Sequence, residues 1–169
     1  AAEIAALGGA VPIHHIAEQD STDLEKAMQH INAPLCLGFG FLGRRFDHAL
    51  ASLTVLARMT DARPEMKIVL AGRHDALTVT KQTIRTALPV DTRYSVWPVG
   101  TVGFDKSDGL IWPLDGLTLS PHGQVGTSNR TAKSSQLLQP ASDNSTAFAV
   151  IVPVEYLDHL CDAVMSGAG

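Results

Sequence analysis

The sequence predicts an α/β domain built on a parallel sheet, residues 1–72, followed by an antiparallel β-sandwich domain, residues 73–169. Three observations carry this. From the start to about Gly72, short apolar runs alternate with stretches of helical periodicity, in the order strand, helix, strand, helix, strand. That order gives parallel strands joined by crossover helices. After Arg73 the apolar period falls to two and a series of short runs follows, the pattern of antiparallel strands. Turn chemistry such as Leu88-Pro89, Pro98 to Gly100 and Asp115-Gly116 separates those runs.

Each element has a local reason. AAEIAALGGA has the character of the end of a helix closed by Gly8-Gly9, with no N-cap before it, so a segment upstream is expected. VPIHHI reads as a strand. STDLEKAMQHI reads as a helix, because Thr22 and Glu25 have capping-box spacing and Leu24, Met28 and Ile31 form an apolar stripe. APLCLGF is a buried strand, and RRFDHALASLTVLARM is a helix with Phe46, Leu50, Leu53 and Leu56 on its apolar face. KIVLA is the third strand. In the second half ALTVT, QTIRTAL, RYSVWPV, GLIWPL, GLTLS, QVGTS, SSQLL and AFAVIVP are strand candidates, and VEYLDHLCDAVM closes the chain as a short helix.

Composition narrows the partners. With 13 Lys and Arg against 17 Asp and Glu the formal charge is -4, and no basic run marks a nucleic-acid surface. No apolar run approaches the roughly 20 residues of a membrane span. Cys36 and Cys161 sit far apart in apolar settings and read as reduced core cysteines, the usage of a cytoplasmic protein. A hydrophobic content of 45% is enough for a packed core.

Four stretches carry candidate chemistry. GFGFLGRR places Gly38, Gly40 and Gly43 between a strand and a helix, on form a dinucleotide fingerprint. Phe39, Phe41 and Leu42 fill its variable positions, and no ribose-binding acid follows promptly. A broader reading is an anion turn, with backbone N–H groups at the helix N-terminus and Arg44-Arg45 as fixed donors; a plain tight turn with solvated arginines also accounts for it. EQDSTD sets Glu18, Asp20 and Asp23 beside Gln19 at a strand-to-helix junction, and Asp47 opens the next helix. Such acids either serve the helix dipole or ligate a hard cation together with substrate phosphates. His14-His15 alternate across a strand and lack a third ligand, and His48 beside Asp47 points about 100° away from it on a helix. In GLIWPLDGLTLSPHGQVGTSN, residues 109–129, burial of Ile111 and Leu114 and turns at Pro113, Asp115-Gly116 and Pro121 to Gly123 give a structural reading that leaves Ser128 and Asn129 unexplained.

Taken in order, EQDSTDLEKAM, GFGFLGRRFDHALASL and GLIWPLDGLTLSPHGQVGTSN resemble the thiamine pyrophosphokinase family, and the resemblance spans nearly the whole chain. It implies transfer of pyrophosphate from ATP to thiamine with Mg2+, giving thiamine pyrophosphate and AMP. It also implies a homodimer whose active site forms where the α/β domain of one subunit meets the β domain of the other. Carried onto this chain, Gln19 and Asp23 approach the nucleotide phosphates or the metal, with Asp20 and Asp23 as the metal carboxylates. Gly43, Arg44 and Arg45 belong to the nucleotide turn with Asp47, and Asp23 or Asp47 assists deprotonation of the thiamine hydroxyl while Arg45 neutralises charge. Trp112, Ser128 and Asn129 line the thiamine pocket.

The family's two further acidic motifs, Asp-Gly-Gly and Gly-Asp-x-Asp-Ser, do not occur in this sequence. The expectation is an incomplete α/β domain, short of at least two parallel strands. Two alternatives stand beside pyrophosphate transfer: a thiamine-binding or regulatory module without chemistry, and an NAD-dependent oxidoreductase resting on the glycine pattern.

Overall fold

A helix begins where its orphan N–H groups find an acceptor, and the Thr22 hydroxyl supplies one. In the computed structural model, which describes residues 16–18, 20–43 and 45–167, Thr22 Oγ1 accepts from the Glu25 N–H at 3.2 Å and Thr22 O accepts from the Lys26 N–H at 3.0 Å. Helix α1 (Asp23–His30) follows. Asp23 and Glu25 occupy its first turn, where the dipole favours acids, and Leu24 and Met28 are buried on one face. The helix and strand expected within residues 1–15 lie outside the described residues. The chain divides into two units, residues 1–30, which hold α1, and residues 31–169.

The second unit runs β1 (Leu35–Phe39), α2 (Phe46–Ala62), β2 (Lys67–Ala71), β3 (Asp75–Thr80), β4 (Ile84–Thr86), β5 (Arg93–Pro98), β6 (Val102–Asp108), β7 (Thr118–Leu119), β8 (Gly126–Arg130), β9 (Gln136–Pro140), β10 (Phe148–Pro153), a 3-10 turn (Val154–Tyr156) and α3 (Leu157–Ser166). β1 and β2 pair in parallel, Leu35 opposite Lys67 and Phe39 opposite Ala71, with α2 as the connection that parallel pairing requires. β3 then folds back antiparallel on β2, and the Gly72 N–H donates to Asp75 O at 2.8 Å in the turn. The outcome is a six-stranded mixed sheet in the order β1-β2-β3-β10-β5-β8 and a four-stranded antiparallel sheet in the order β4-β9-β6-β7.

Four features differ from the sequence expectation. The face of α2 that turns inward carries Ser52, Val55 and Leu56, with β3 as a packing partner, so Phe46 and Leu50 of the expected apolar stripe are 78% and 46% exposed. The parallel strands do not make a sheet of their own: residue 72 lies in a hairpin turn of a continuous sheet. Residues 68–71 are buried along their length, with α3 packed against β2. GLIWPL is a loop with a single bridge, Leu110 to Thr131, since Gly109 and Pro113 break the ladder. β6 is a strand that the periodicity does not reveal. Its register shifts between Phe104 and Lys106, which leaves Asp105 and Lys106 exposed in succession and hides the alternation.

The two sheets share one apolar interior. Val96, Phe148, Val150 and Val152 from the six-stranded sheet meet Ile84, Val102, Phe104, Leu119 and Leu138 from the other, and Leu160, Ala163 and Val164 of α3 join them. Phe104 and Phe148 meet edge to face, centroids 5.1 Å apart at 72°. Tyr94 is fully buried, and its hydroxyl lacks a hydrogen bond of ordinary geometry. Burial pushes the Tyr94 phenol well up, with a partial offset from Thr86. Among the described residues no helix is long and apolar enough to cross a membrane.

Two stability outcomes follow from this interior. Phe148→Ala lowers the free energy of unfolding by about 3–5 kcal/mol in a denaturant titration, the sum of lost transfer energy and the cavity left behind. Tyr94→Phe unfolds at the same or a higher temperature, because it removes a buried hydroxyl that gains little from its surroundings. A drop of several degrees would show that the hydroxyl is satisfied after all.

Candidate functional site

The strand-to-helix turn after β1 shows what its glycines are for. A Cβ on Gly38 would lie 2.5 Å from Leu70 Cδ2, so this glycine permits close contact with β2. Gly40 and Gly43 have φ of +85° and +113°, and a Cβ on either would meet nothing within 4 Å among the described residues. They answer the backbone conformation. Phe41 and Leu42 pack inward, Phe41 against Gly38 and Leu42 against Gly72. The Ser52 hydroxyl, which lies 2.9 Å from His48 O and 3.3 Å from Phe41 O, pins the turn to α2.

Arg45 occupies the N-cap of α2 with an extended backbone and no capping side chain. Its guanidinium instead grips Asp47, Nε to Oδ1 at 3.1 Å and Nη2 to Oδ2 at 2.5 Å, and both side chains are exposed. The Arg45 hydrogen bond holds the Asp47 carboxyl below the usual carboxylate range and raises Arg45 in return. Such a carboxylate is a weaker base than an unpaired one, whereas a fixed guanidinium at a helix N-terminus is a good partner for an anion. Arg44 lies outside the described residues.

In the first unit Glu18 is a turn-former. It accepts from the Asp20 N–H at 2.7 Å, the Ser21 N–H at 3.0 Å and the Ser21 hydroxyl, and Lys26 Nζ lies 3.6 Å away. The Ser21 hydroxyl is the main reason that its carboxyl stays below the usual range. Asp20 and Asp23 are exposed, Asp23 as the first residue of α1. Gln19 lies outside the described residues. Among the described residues no group of three or more His, Cys, Asp or Glu side chains converges as a metal site.

The stretch that turn chemistry leaves unexplained is the most built part of the second unit. Gly109 has φ +76°, and a Cβ there would stand 2.1 Å from Ser135 O, so only glycine is tolerated. Leu110 and Leu114 are buried, while Ile111 and Trp112 are 46% and 57% exposed. Polar ties hold the loop at both ends. The Ile111 N–H donates to Arg130 O at 2.8 Å, and the Leu114 N–H donates to Ser107 Oγ at 2.7 Å. Ser107 in turn donates its hydroxyl to Asp115 Oδ2 at 2.6 Å and its N–H to Asp115 Oδ1 at 3.2 Å.

Opposite this loop, β8 carries a bulge. Tyr94 pairs with Asn129 but Val96 with Gly126, so β8 has one residue more than β5 over this span. Ser128 takes the left-handed conformation, φ +61°, and its N–H donates to Ser95 Oγ at 3.0 Å. The bulge turns Ser128 out to solvent and Asn129 inward to 4% exposure. Asn129 Oδ1 accepts from the Trp112 N–H at 3.2 Å, and its Nδ2 donates to Trp112 O at 2.6 Å. Of the three residues read as a thiamine pocket, the structure therefore joins Asn129 to Trp112 through the main chain and leaves the indole and the Ser128 hydroxyl at the surface. Ser95, Ser107 and Asp115 were not legible as site supports. The only signal was Asp115-Gly116, which reads as a turn.

Comparison with known proteins gives a consistent relation. Residues 5–70 match the family model described as the catalytic domain of thiamin pyrophosphokinase. The chain is similar to thiamine pyrophosphokinase 2 of Arabidopsis thaliana, 27% identical over 150 residues that cover 80% of this chain and 54% of that protein. It is similar also to thiamine pyrophosphokinase 1 of Oryza sativa subsp. japonica, 29% identical over 136 residues, 72% of this chain and 50% of that protein. In fold it matches the thiamine pyrophosphokinase of Bacillus subtilis with a TM-score of 0.75 at 18% identity, covering 91% of this chain and 72% of that one. The thiamin pyrophosphokinase of Geobacillus thermodenitrificans matches with a TM-score of 0.67 at 27% identity, over 81% of this chain and 63% of that one. The chain spans about half the length of the curated plant relatives it matches.

The loop geometry carries a pH signature. Hydrogen bonds from Ser107 lower the Asp115 carboxyl from its ordinary value of 3.8. The folded value lies below the unfolded one, so the stabilisation is complete above about pH 4 and disappears as the pH falls through the folded value. Ser107→Ala should remove this part of the acid dependence, so that its unfolding curves approach the wild type's at low pH. A stability gap that stays constant from pH 7 to pH 3 would exclude the Ser107–Asp115 tie as its source.

Proposed function

We propose that this chain, a relative of the thiamine pyrophosphokinases by sequence and by fold, acts in the transfer of pyrophosphate from ATP to thiamine, giving thiamine pyrophosphate and AMP. The observation that carries the reading is Trp112, an indole 57% exposed on a loop fixed at both ends, facing the strand whose bulge exposes Ser128. Thiamine is a flat cationic heteroaromatic. An indole face attracts such a cation by about 0.5–2 kcal/mol. The Ser128 hydroxyl can donate and accept at the aminopyrimidine edge, which fixes an orientation that stacking alone leaves free.

On this reading residues 1–72 serve the nucleotide and residues 73–169 serve thiamine. Gly43 lies in the turn that receives a phosphate, and Arg45, prearranged by Asp47, offers it a planar donor pair; Arg44 and Gln19 complete the phosphate contacts. Asp20 and Asp23 supply exposed hard oxygen donors suited to magnesium, which commonly takes one or two carboxylates together with phosphate oxygens. Bound magnesium supplies neutralisation of phosphate charge. The thiamine hydroxyl oxygen forms a bond to the β-phosphorus as the bond from that phosphorus to the α-phosphate bridging oxygen breaks, and AMP leaves. Positioning and charge do most of this work. The hydroxyl proton passes to a carboxylate, and Asp23 is the better acceptor because Asp47 is already engaged by Arg45. We further propose a cytoplasmic homodimer in which the nucleotide side of one subunit meets the thiamine side of the other.

Calorimetric titration with thiamine, with NAD as control, tests the reading. Saturable thiamine binding and no NAD binding are expected. Trp112→Ala should weaken thiamine by roughly 2- to 30-fold while leaving ATP affinity unchanged. Binding without turnover would reduce the chain to a thiamine-binding module, and NAD binding with no response to thiamine would move it to the oxidoreductases. Asp23→Asn should lower turnover more than Asp47→Asn, and full turnover in both variants would remove carboxylate assistance from the mechanism.

A further inference from the structure

We infer that Asn129 is a positioning residue that acts through Trp112: it fixes the main chain from which the indole projects and does not itself touch the ligand. This rests on the thiamine reading for the identity of the ligand, while the tie between the two residues stands on geometry alone.

A carboxamide offers two donors and two acceptor lone pairs. At Asn129 three of these four are spent internally. Oδ1 accepts from the Trp112 N–H at 3.2 Å and from the Arg130 N–H at 2.8 Å, and Nδ2 donates to Trp112 O at 2.6 Å. With 4% of its surface exposed, the side chain has little left to offer a ligand. Trp112, by contrast, has its N–H and its C=O both paired by this one side chain. Pro113 follows and has no N–H to contribute. Between the ties at Ile111 and Leu114, Asn129 is therefore what holds the tryptophan-bearing residue against β8.

The bulge explains how the side chain reaches it. Ser128 at φ +61°, pinned by Ser95, adds the extra residue that points Asn129 inward and Ser128 outward. The same device thus gives the site one residue that faces solvent and one that aligns the aromatic surface. Removing the amide leaves Trp112 polar groups that water can satisfy at the surface. The expected loss is therefore order at the indole rather than global stability.

The test separates this role from the ligand reading. Trp97→Phe leaves Trp112 as the sole tryptophan, and its fluorescence anisotropy reports local mobility without any ligand. Asn129→Ala in that background should lower the anisotropy. Asn129→Asp, which keeps the acceptor and loses the donor, should fall between the two and serves if the alanine variant does not fold. In the native tryptophan background, Asn129→Ala should weaken thiamine by about ten-fold, but by less than about two-fold once Trp112→Ala is present, the non-additivity expected of a residue acting through its partner. Unchanged anisotropy would overturn the proposal, and so would equal losses with and without Trp112, which would put Asn129 on the ligand. If the wild-type chain binds no thiamine, the functional reading fails and the positioning role is decided by the anisotropy.

Discussion

The apolar layer shared by the two sheets is the constraint on which the rest of the second unit depends. Phe104 and Phe148, in edge-to-face contact, come one from each sheet, and the surrounding valines and leucines interdigitate around them. Burying each such side chain contributes about 1.5–3 kcal/mol, and aromatic geometry adds a further fraction. The layer takes one face of β4, whose burial alternates, while β3, β5 and β10 are buried along most of their length. It also sets where α3 lies, because Leu160, Ala163 and Val164 complete the layer beside β4.

The loop carrying Trp112 inherits its rigidity from that layer. Leu110 and Leu114 anchor it in the core, so Ile111 and Trp112 between them must face outward. Backbone groups along this irregular path are met by Ser107, itself held by Asp115, and by Asn129. Gln136 is treated alike: it accepts from Thr86 and the Leu88 N–H, and donates to Leu88 O and Lys133 O. Unpaired, each would cost about 1–3 kcal/mol. The indole on this tied loop keeps more than half of its surface exposed. That asymmetry is what directs attention to recognition.

The turn after β1 follows a different logic. Arg45 and Asp47 are both exposed, and surface ion pairs of this kind contribute little to stability. Their bidentate geometry matters more as an orientation, since it presents a guanidinium in a set pose at a helix N-terminus. The glycine pattern that resembles a dinucleotide fingerprint has a structural content of its own. Gly38 admits Leu70, and Gly40 and Gly43 allow positive φ, while Phe41 and Leu42 are spent on packing. Asp75, the first acid after β2, is paired with Arg93.

The sequence by itself determined the local elements. The cap at Thr22 and the apolar runs of β2 and β10 are each written within a few neighbouring residues, whereas the apolar stripe read on α2 is not the face that the fold buries. The glycines of the two turns also stand out in the sequence, as do Ser128 and Asn129, which have no local reason there. Only the tertiary structure decided that parallel and antiparallel strands share one sheet, that residues 102–108 form a strand despite exposed Asp105 and Lys106, and that Asn129 grips the main chain of Trp112. These depend on contacts between residues far apart in the chain. Nothing in a local window encodes which distant backbone group a side chain will satisfy; that is settled only when the shared core brings the strands together.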